Sequence, residues 1–88
     1  MIKIIHAEAV ADFVVRLEFS DGSSGNLDLT ELVERDTEMV RPLTDPAVFA
    51  DCFPELGALC WRNGFELSAS SLYRKLVQCG GLRRADAA

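Results

Sequence analysis

Phe13, Val15, Leu17 and Phe19 alternate with Val14, Arg16 and Glu18, the strictest alternation of apolar and charged positions in the chain. A period of two sets the first group on one face of a β-strand and Arg16 and Glu18 on the other. Ile2 to Ala9, with β-branched residues and no breaker, predicts a preceding strand, and Val10-Ala11-Asp12 the reversal between the two. After Phe19 comes a turn signal, Ser20-Asp21-Gly22, and register decides its length. A two-residue Asp21-Gly22 loop would set Ser24, Asn26 and Asp28 against the apolar face. A three-residue Ser20–Gly22 loop instead pairs Val15 with Leu27 and Phe13 with Leu29, and burial selects it, because a one-residue slip moves every side chain to the other face. Gly22 then takes the left-handed position of the turn. Gly25 falls opposite Leu17 as a soft spot, and is expected to tolerate substitution better than Gly22.

Thr30 to Glu34 predicts a single helical turn with Thr30 as N-cap and Glu31 well placed in its first turn. Arg35 to Pro42 reads as irregular. Asp45-Pro46 is a cap followed by proline at the first helical position, opening a short turn through Phe49. Asp51-Cys52-Phe53 and Ala58-Leu59-Cys60-Trp61 predict two short strands. A three-residue loop from Glu55 to Gly57 would pair Phe53 with Leu59 and Cys52 with Cys60. Asn63-Gly64 suits two consecutive positive φ values and marks a tight hairpin, with Phe65 to Leu67 returning. Ser68 or Ser70 caps a final helix in which Leu72, Leu76 and Cys79 recur at i, i+4 and i+7, and Gly80-Gly81 ends it. These elements predict an α+β fold: a small antiparallel sheet built from successive hairpins, with short helical turns and one C-terminal helix. Residues 1–80 form a single domain and residues 81–88 a mobile tail.

Composition adds a surplus. The chain is 49% hydrophobic over only 88 residues, which predicts self-association or a protein partner covering apolar surface. The net charge of −5 is unevenly placed: residues 1–66 hold thirteen acidic and five basic side chains (−8), residues 67–88 one and four (+3). Acidity keeps a hydrophobic small protein soluble and suits a basic protein partner. It argues against nucleic acid as a ligand of the domain by itself, since affinity there comes mainly from phosphate neutralisation. No signal peptide or membrane span is legible. Cys52, Cys60 and Cys79 are odd in number without Cys-x-x-Cys spacing, which fits free thiols and the cytoplasm.

No constellation of residues specifies a chemistry beyond an α+β domain. His6, the sole histidine, has no neighbouring nucleophile or base in sequence, and no ligand spacing points to a metal or other cofactor. Glu31, Glu34, Asp36 and Glu38 read as a solvated loop, and Ser68, Ser70 and Ser71 as helix-capping residues. No catalytic residue is expected, so the chain is read as a non-enzyme. The binding candidates are Trp61, Arg62 and Asn63 at a hairpin tip and Arg74 on the last helix. Trp beside Arg is the composition of an interface anchor. The competing reading, and the stronger one in so short a chain, packs Trp61 into the core with Phe53 and Leu59.

The order of these motifs resembles domain-of-unknown-function family 2442, small bacterial α+β proteins. The resemblance rests on Phe19-Ser20-Asp21-Gly22, Leu27-Asp28-Leu29, Pro42-Leu43-Thr44-Asp45-Pro46 with Phe49, Trp61 with Asn63-Gly64, and Leu72-Tyr73. Arg62 stands where proline commonly follows the Trp, and Glu66 where aspartate is common. Members resemble proteins encoded beside another small domain in a toxin–antitoxin-like arrangement, and others carry this domain ahead of a helix-turn-helix segment, for which this chain ends too soon. The resemblance thus implies a bacterial, cytoplasmic protein-interaction module, antitoxin-like and the acidic partner of a small basic protein. The alternative is a homodimeric small-ligand sensing or regulatory domain.

Overall fold

The alternating strand becomes the middle of a three-stranded antiparallel sheet. In the computed structural model, which describes residues 1–84, β1 (Ile4–Ala11), β2 (Val14–Phe19) and β3 (Ser24–Asp28) lie in the order β1-β2-β3. Val15 pairs with Leu27 and Leu17 with Gly25, the register that burial selects. Phe19 N–H donates to Ser23 O (2.8 Å) and Gly22 N–H to Phe19 O (2.9 Å), closing the three-residue loop with Gly22 at φ +87°. Phe13 departs from the strand it was expected to open. Ala11 pairs with Val14, so Asp12 and Phe13 form the turn, with Phe13 at φ +60°. Its ring packs edge-on against Phe49 (5.5 Å, 85°), and its carbonyl accepts from Leu29 N–H (2.7 Å), contacts that offset the left-handed backbone.

The helical turn α1 (Thr30–Val33) is capped differently from expectation. Thr30 is already inside it, and the Asp28 carboxylate receives both the Thr30 N–H and hydroxyl. A 3-10 turn at Arg41–Thr44 regularises the end of the segment expected to be irregular. In α2 (Pro46–Ala50) Asp45 accepts from Ala47 N–H (2.9 Å) as predicted, and Phe49 is buried.

A second small sheet, β4 (Phe53–Glu55), β5 (Ala58–Cys60) and β6 (Glu66–Leu67), follows. Its first hairpin is shifted by one residue from the predicted register: Phe53 pairs with Cys60, Pro54 with Leu59 and Glu55 with Ala58. The loop has two residues, Leu56 at φ +51° and Gly57 at +83°, the doubly left-handed turn whose twist matches that of the strands. Cys52 therefore does not oppose Cys60. The second hairpin repeats the construction after Phe19, with Trp61 N–H to Phe65 O (2.9 Å) and Gly64 N–H to Trp61 O (3.0 Å). Only its glycine is left-handed (φ +93°), so the pair of positive φ values expected at Asn63-Gly64 is not formed.

Ser68 accepts from Ser71 N–H and caps α3 (Ala69–Cys79), which Gly80 ends at φ +74° with Gly81 N–H donating to Leu76 O (2.9 Å). Leu72 and Leu76 are fully buried beside Val15, Leu17, Phe19, Leu43, Phe49, Leu59 and Trp61. Cys79, predicted on the same face, is exposed. Beyond the helix, the segment expected as a mobile tail carries a bridge. Arg83 N–H donates to Ser24 O (2.7 Å) and Ser24 N–H to Arg83 O (2.8 Å), so the chain lies along the free edge of β3. Residues 85–88 of that expected tail lie outside the described residues.

Candidate functional site

The hairpin from Trp61 to Phe65 divides its residues between core and surface. Trp61 is 2% exposed; its Nε1 donates to Phe49 O (3.0 Å), and its ring lies between Phe49 and Phe65 at centroid distances of 5.8 and 5.6 Å. Burial with its one donor satisfied is the state in which a tryptophan adds most to a core. Asn63 works inside the fold as well: Nδ2 donates to Met39 O (2.9 Å) and Oδ1 accepts from Phe65 N–H (3.1 Å), tying the loop before the 3-10 turn to the hairpin. Arg62 is exposed and stands 3.8 Å from Asp51, a spacing and exposure at which the pair contributes little. Arg62 lines a shallow hollow of about 400 Å³ with Phe53, Leu56, Cys60 and Glu66. Arg74 faces solvent from α3 and lines a different hollow, so the structure does not bring the four binding candidates into one site.

Cys52 and Cys60 lie in settings that disfavour the thiolate. Partial burial pushes the Cys52 thiol above its ordinary pKa, with Asp51 adding to it, and does the same for Cys60, with Glu66 and Glu55 adding to it. Sγ of Cys60 is 3.9 Å from Glu66 Oε2, so Glu66 presents a carboxylate to this thiol. Among the described residues no group of three or more His, Cys, Asp or Glu side chains is placed to hold a metal ion.

Two arrangements carry the electrostatics. The segment from Glu31 to Asp51 carries six carboxylates and two arginines, Arg35 and Arg41, and all eight belong to exposed residues. Only Asp36, with Arg41 (3.0 Å), and Asp51, with Arg62, form ion pairs among the described residues. Met39 and Val48 are exposed within this flank. Asp21 joins the first hairpin to α3. Its Oδ1 accepts from the Ser23 N–H (2.9 Å) and hydroxyl, and its Oδ2 from the Tyr73 hydroxyl (2.9 Å). These bonds, the Ser23 hydroxyl first, hold its pKa below the ordinary carboxylate value. The sequence reading missed this join because its partners stand fifty-two residues apart.

A family model described as a protein of unknown function, DUF2442, matches residues 4–78. The chain belongs to this family. No curated protein matches it. Among solved structures it resembles "putative DNA binding protein NE0471" from Nitrosomonas europaea, with a TM-score of 0.75 and 24% identity. The match covers 91% of this chain and 52% of that one, so the DUF2442 chain spans about half of its structural neighbour. The likeness establishes the shared α+β fold. It also corrects the exclusion of nucleic acid drawn from the acidic balance, since a protein of this fold bears a DNA-binding name. Net charge is a property of the whole surface, whereas phosphate contact needs only a local basic one. No described helix is long and apolar enough to cross a membrane.

Proposed function

We propose that this DUF2442 domain is a protein-interaction module that engages a basic partner through the acidic flank from Glu31 to Asp51. The observation that carries it is the set of exposed carboxylates, Glu31, Glu34, Glu38 and Asp45, without ion pairs among the described residues. Unpaired surface charge of one sign steers a complementary surface and fixes its register, while Met39 and Val48 offer apolar area between the charges. The reading accords with the antitoxin-like role implied by the family resemblance. The test uses the intact chain as bait in extract of its native cells. A small basic protein retained in stoichiometric amount, and lost when Glu31, Glu34 and Glu38 are changed to Lys, is the expected result. A small molecule co-purifying with a dimer and no protein would favour the ligand-sensing alternative.

A second reading has its own support. Arg74, Lys75, Arg83 and Arg84 are exposed on α3 and the segment after it, and the structural neighbour is named a DNA binding protein. In this reading the basic end of the domain contributes phosphate contacts. Fluorescence anisotropy with a labelled duplex checks it: binding should weaken steeply with salt and fall when Arg83 and Arg84 are changed to Ala.

A further inference from the structure

Helix α3 has one buried apolar face and a second, mixed stripe at its surface. Ala69, Leu72 and Leu76 are buried under it. Ser70, Tyr73, Arg74 and Val77, at i, i+3, i+4 and i+7, form a second stripe, and Val77 is 53% exposed. Between this stripe, Ile2 and Asp21 lies a hollow of about 490 Å³. A second, of about 560 Å³, shares Ile2 and Ser70 with it and continues to Met1, Lys3 and Leu56. The two hollows adjoin at Ile2 and Ser70 and make one open groove, its first part beside α3 and its second at the N-terminal end of the helix.

Leu56 supplies an independent observation. It is 98% exposed and left-handed, at a turn position that favours asparagine, aspartate or glycine. An exposed aliphatic side chain in a disfavoured backbone conformation protects no core. Such outliers cluster where a ligand is bound. Charge narrows the occupant. Lys3 and Arg74 line the groove without ion pairs among the described residues. Asp21, the carboxylate in the wall beside Arg74, keeps its charge, because the neutral donors on both its oxygens favour the ionised form. The lining therefore offers apolar area with a positive excess, Lys3 and Arg74 against Asp21.

We propose that it docks an extended segment of a partner protein with apolar anchors flanked by carboxylates. The apolar walls give a phosphate backbone little to contact, while a carboxylate beside an anchor reaches Lys3 or Arg74. From Ser70 to Val77 the helix spans about 10 Å, at about 1.5 Å per residue. An extended segment rising about 3.3 Å per residue covers that length with three or four residues. The inference does not rest on the acidic flank, which faces a partner of opposite charge.

Selection of a display library of random short peptides against the intact chain tests it. Enriched peptides should carry aromatic or aliphatic residues beside Asp or Glu. Val77→Asp and Arg74→Glu should each weaken a selected peptide by about tenfold or more, while Glu34→Lys leaves it unchanged. Leu56→Asn should raise thermal stability yet weaken the peptide, a combination a purely structural residue would not give. No enrichment, enriched peptides without acidic residues, equal binding by the groove variants, or displacement of the peptide only by duplex DNA of any sequence would each overturn the proposal.

Discussion

A methyl group on Gly25 would lie 2.7 Å from the Gly81 carbonyl oxygen and 3.0 Å from Leu76 Cδ2. In sequence this glycine is only a weak point in a strand. In the folded chain it is the gap through which the end of α3 reaches β3. Gly25→Ala should cost about 1–3 kcal/mol by overpacking, comparable with Gly22→Val at its left-handed position. The Gly81 carbonyl is thus a contact at Gly25 that the expectation of greater tolerance there did not include. Denaturant midpoints at unchanged slope check this; full tolerance at Gly25 would show that the α3–β3 contact yields freely. Asp21 makes a pH prediction. Its folded pKa is lowered, so its contribution is present above the ordinary carboxylate value and is lost as pH falls through the folded one. The stability gap between the native chain and Asp21→Asn should be full at neutral pH and close on acidification. A gap that ignores pH would assign the effect to lost geometry alone.

At the scale of elements, the hairpins show how far local signals reach. Ser20-Asp21-Gly22 and Arg62-Asn63-Gly64 close by the same pair of backbone bonds. The alternation flanking the first loop made its register legible. The hairpin at Leu56-Gly57 joins two three-residue strands, too short for burial to discriminate one register from its neighbour. The outcome there rests on turn twist, at the expense of a left-handed leucine. The slip has a chemical consequence, since Phe53 and not Cys52 opposes Cys60. Thiol titration of native protein without air should count three free cysteines. Exposed Cys79 should react first, with Cys52 and Cys60 slower because burial raises their pKa. A linked Cys52–Cys60 pair in the native protein would contradict the observed register.

For the whole molecule, the decisive contact is the return of the chain to β3 after α3. Arg83 and Ser24 exchange two backbone hydrogen bonds, and Leu82 packs against the core. Covering a strand edge in this way removes a template for unwanted pairing. Ending the chain at Gly81 should therefore lower stability by about 1–3 kcal/mol, at about 0.5–1.5 kcal/mol for each lost bond. That corresponds to roughly 4–8 °C of melting temperature per kcal/mol in a domain of this size. The truncated chain should also associate more readily, which light scattering would detect. An unchanged melting temperature would mean that the segment rests on β3 without stabilising it.

The sequence by itself determined what depends on near neighbours. The alternation from Phe13 to Phe19 set the central strand, Asp45-Pro46 and Ser68 set two helix starts, and Gly22 and Gly80 set a turn and a helix end. Each is a signal contained within a few residues, where backbone sterics and local hydrogen bonds decide. The tertiary structure decided the rest. Phe13 leaves its strand because Phe49 and Leu29 hold it in the turn. Trp61, readable as core or as interface, is buried because Phe49 supplies both a ring and an acceptor. The second, mixed stripe of α3 was present in the spacing of Tyr73 and Val77. It became the wall of a hollow only when Ile2, from the other end of the chain, was brought to its edge, with Leu56 lining the adjoining hollow. Contacts between residues so far apart are fixed by the packing of the whole core, which no local window contains.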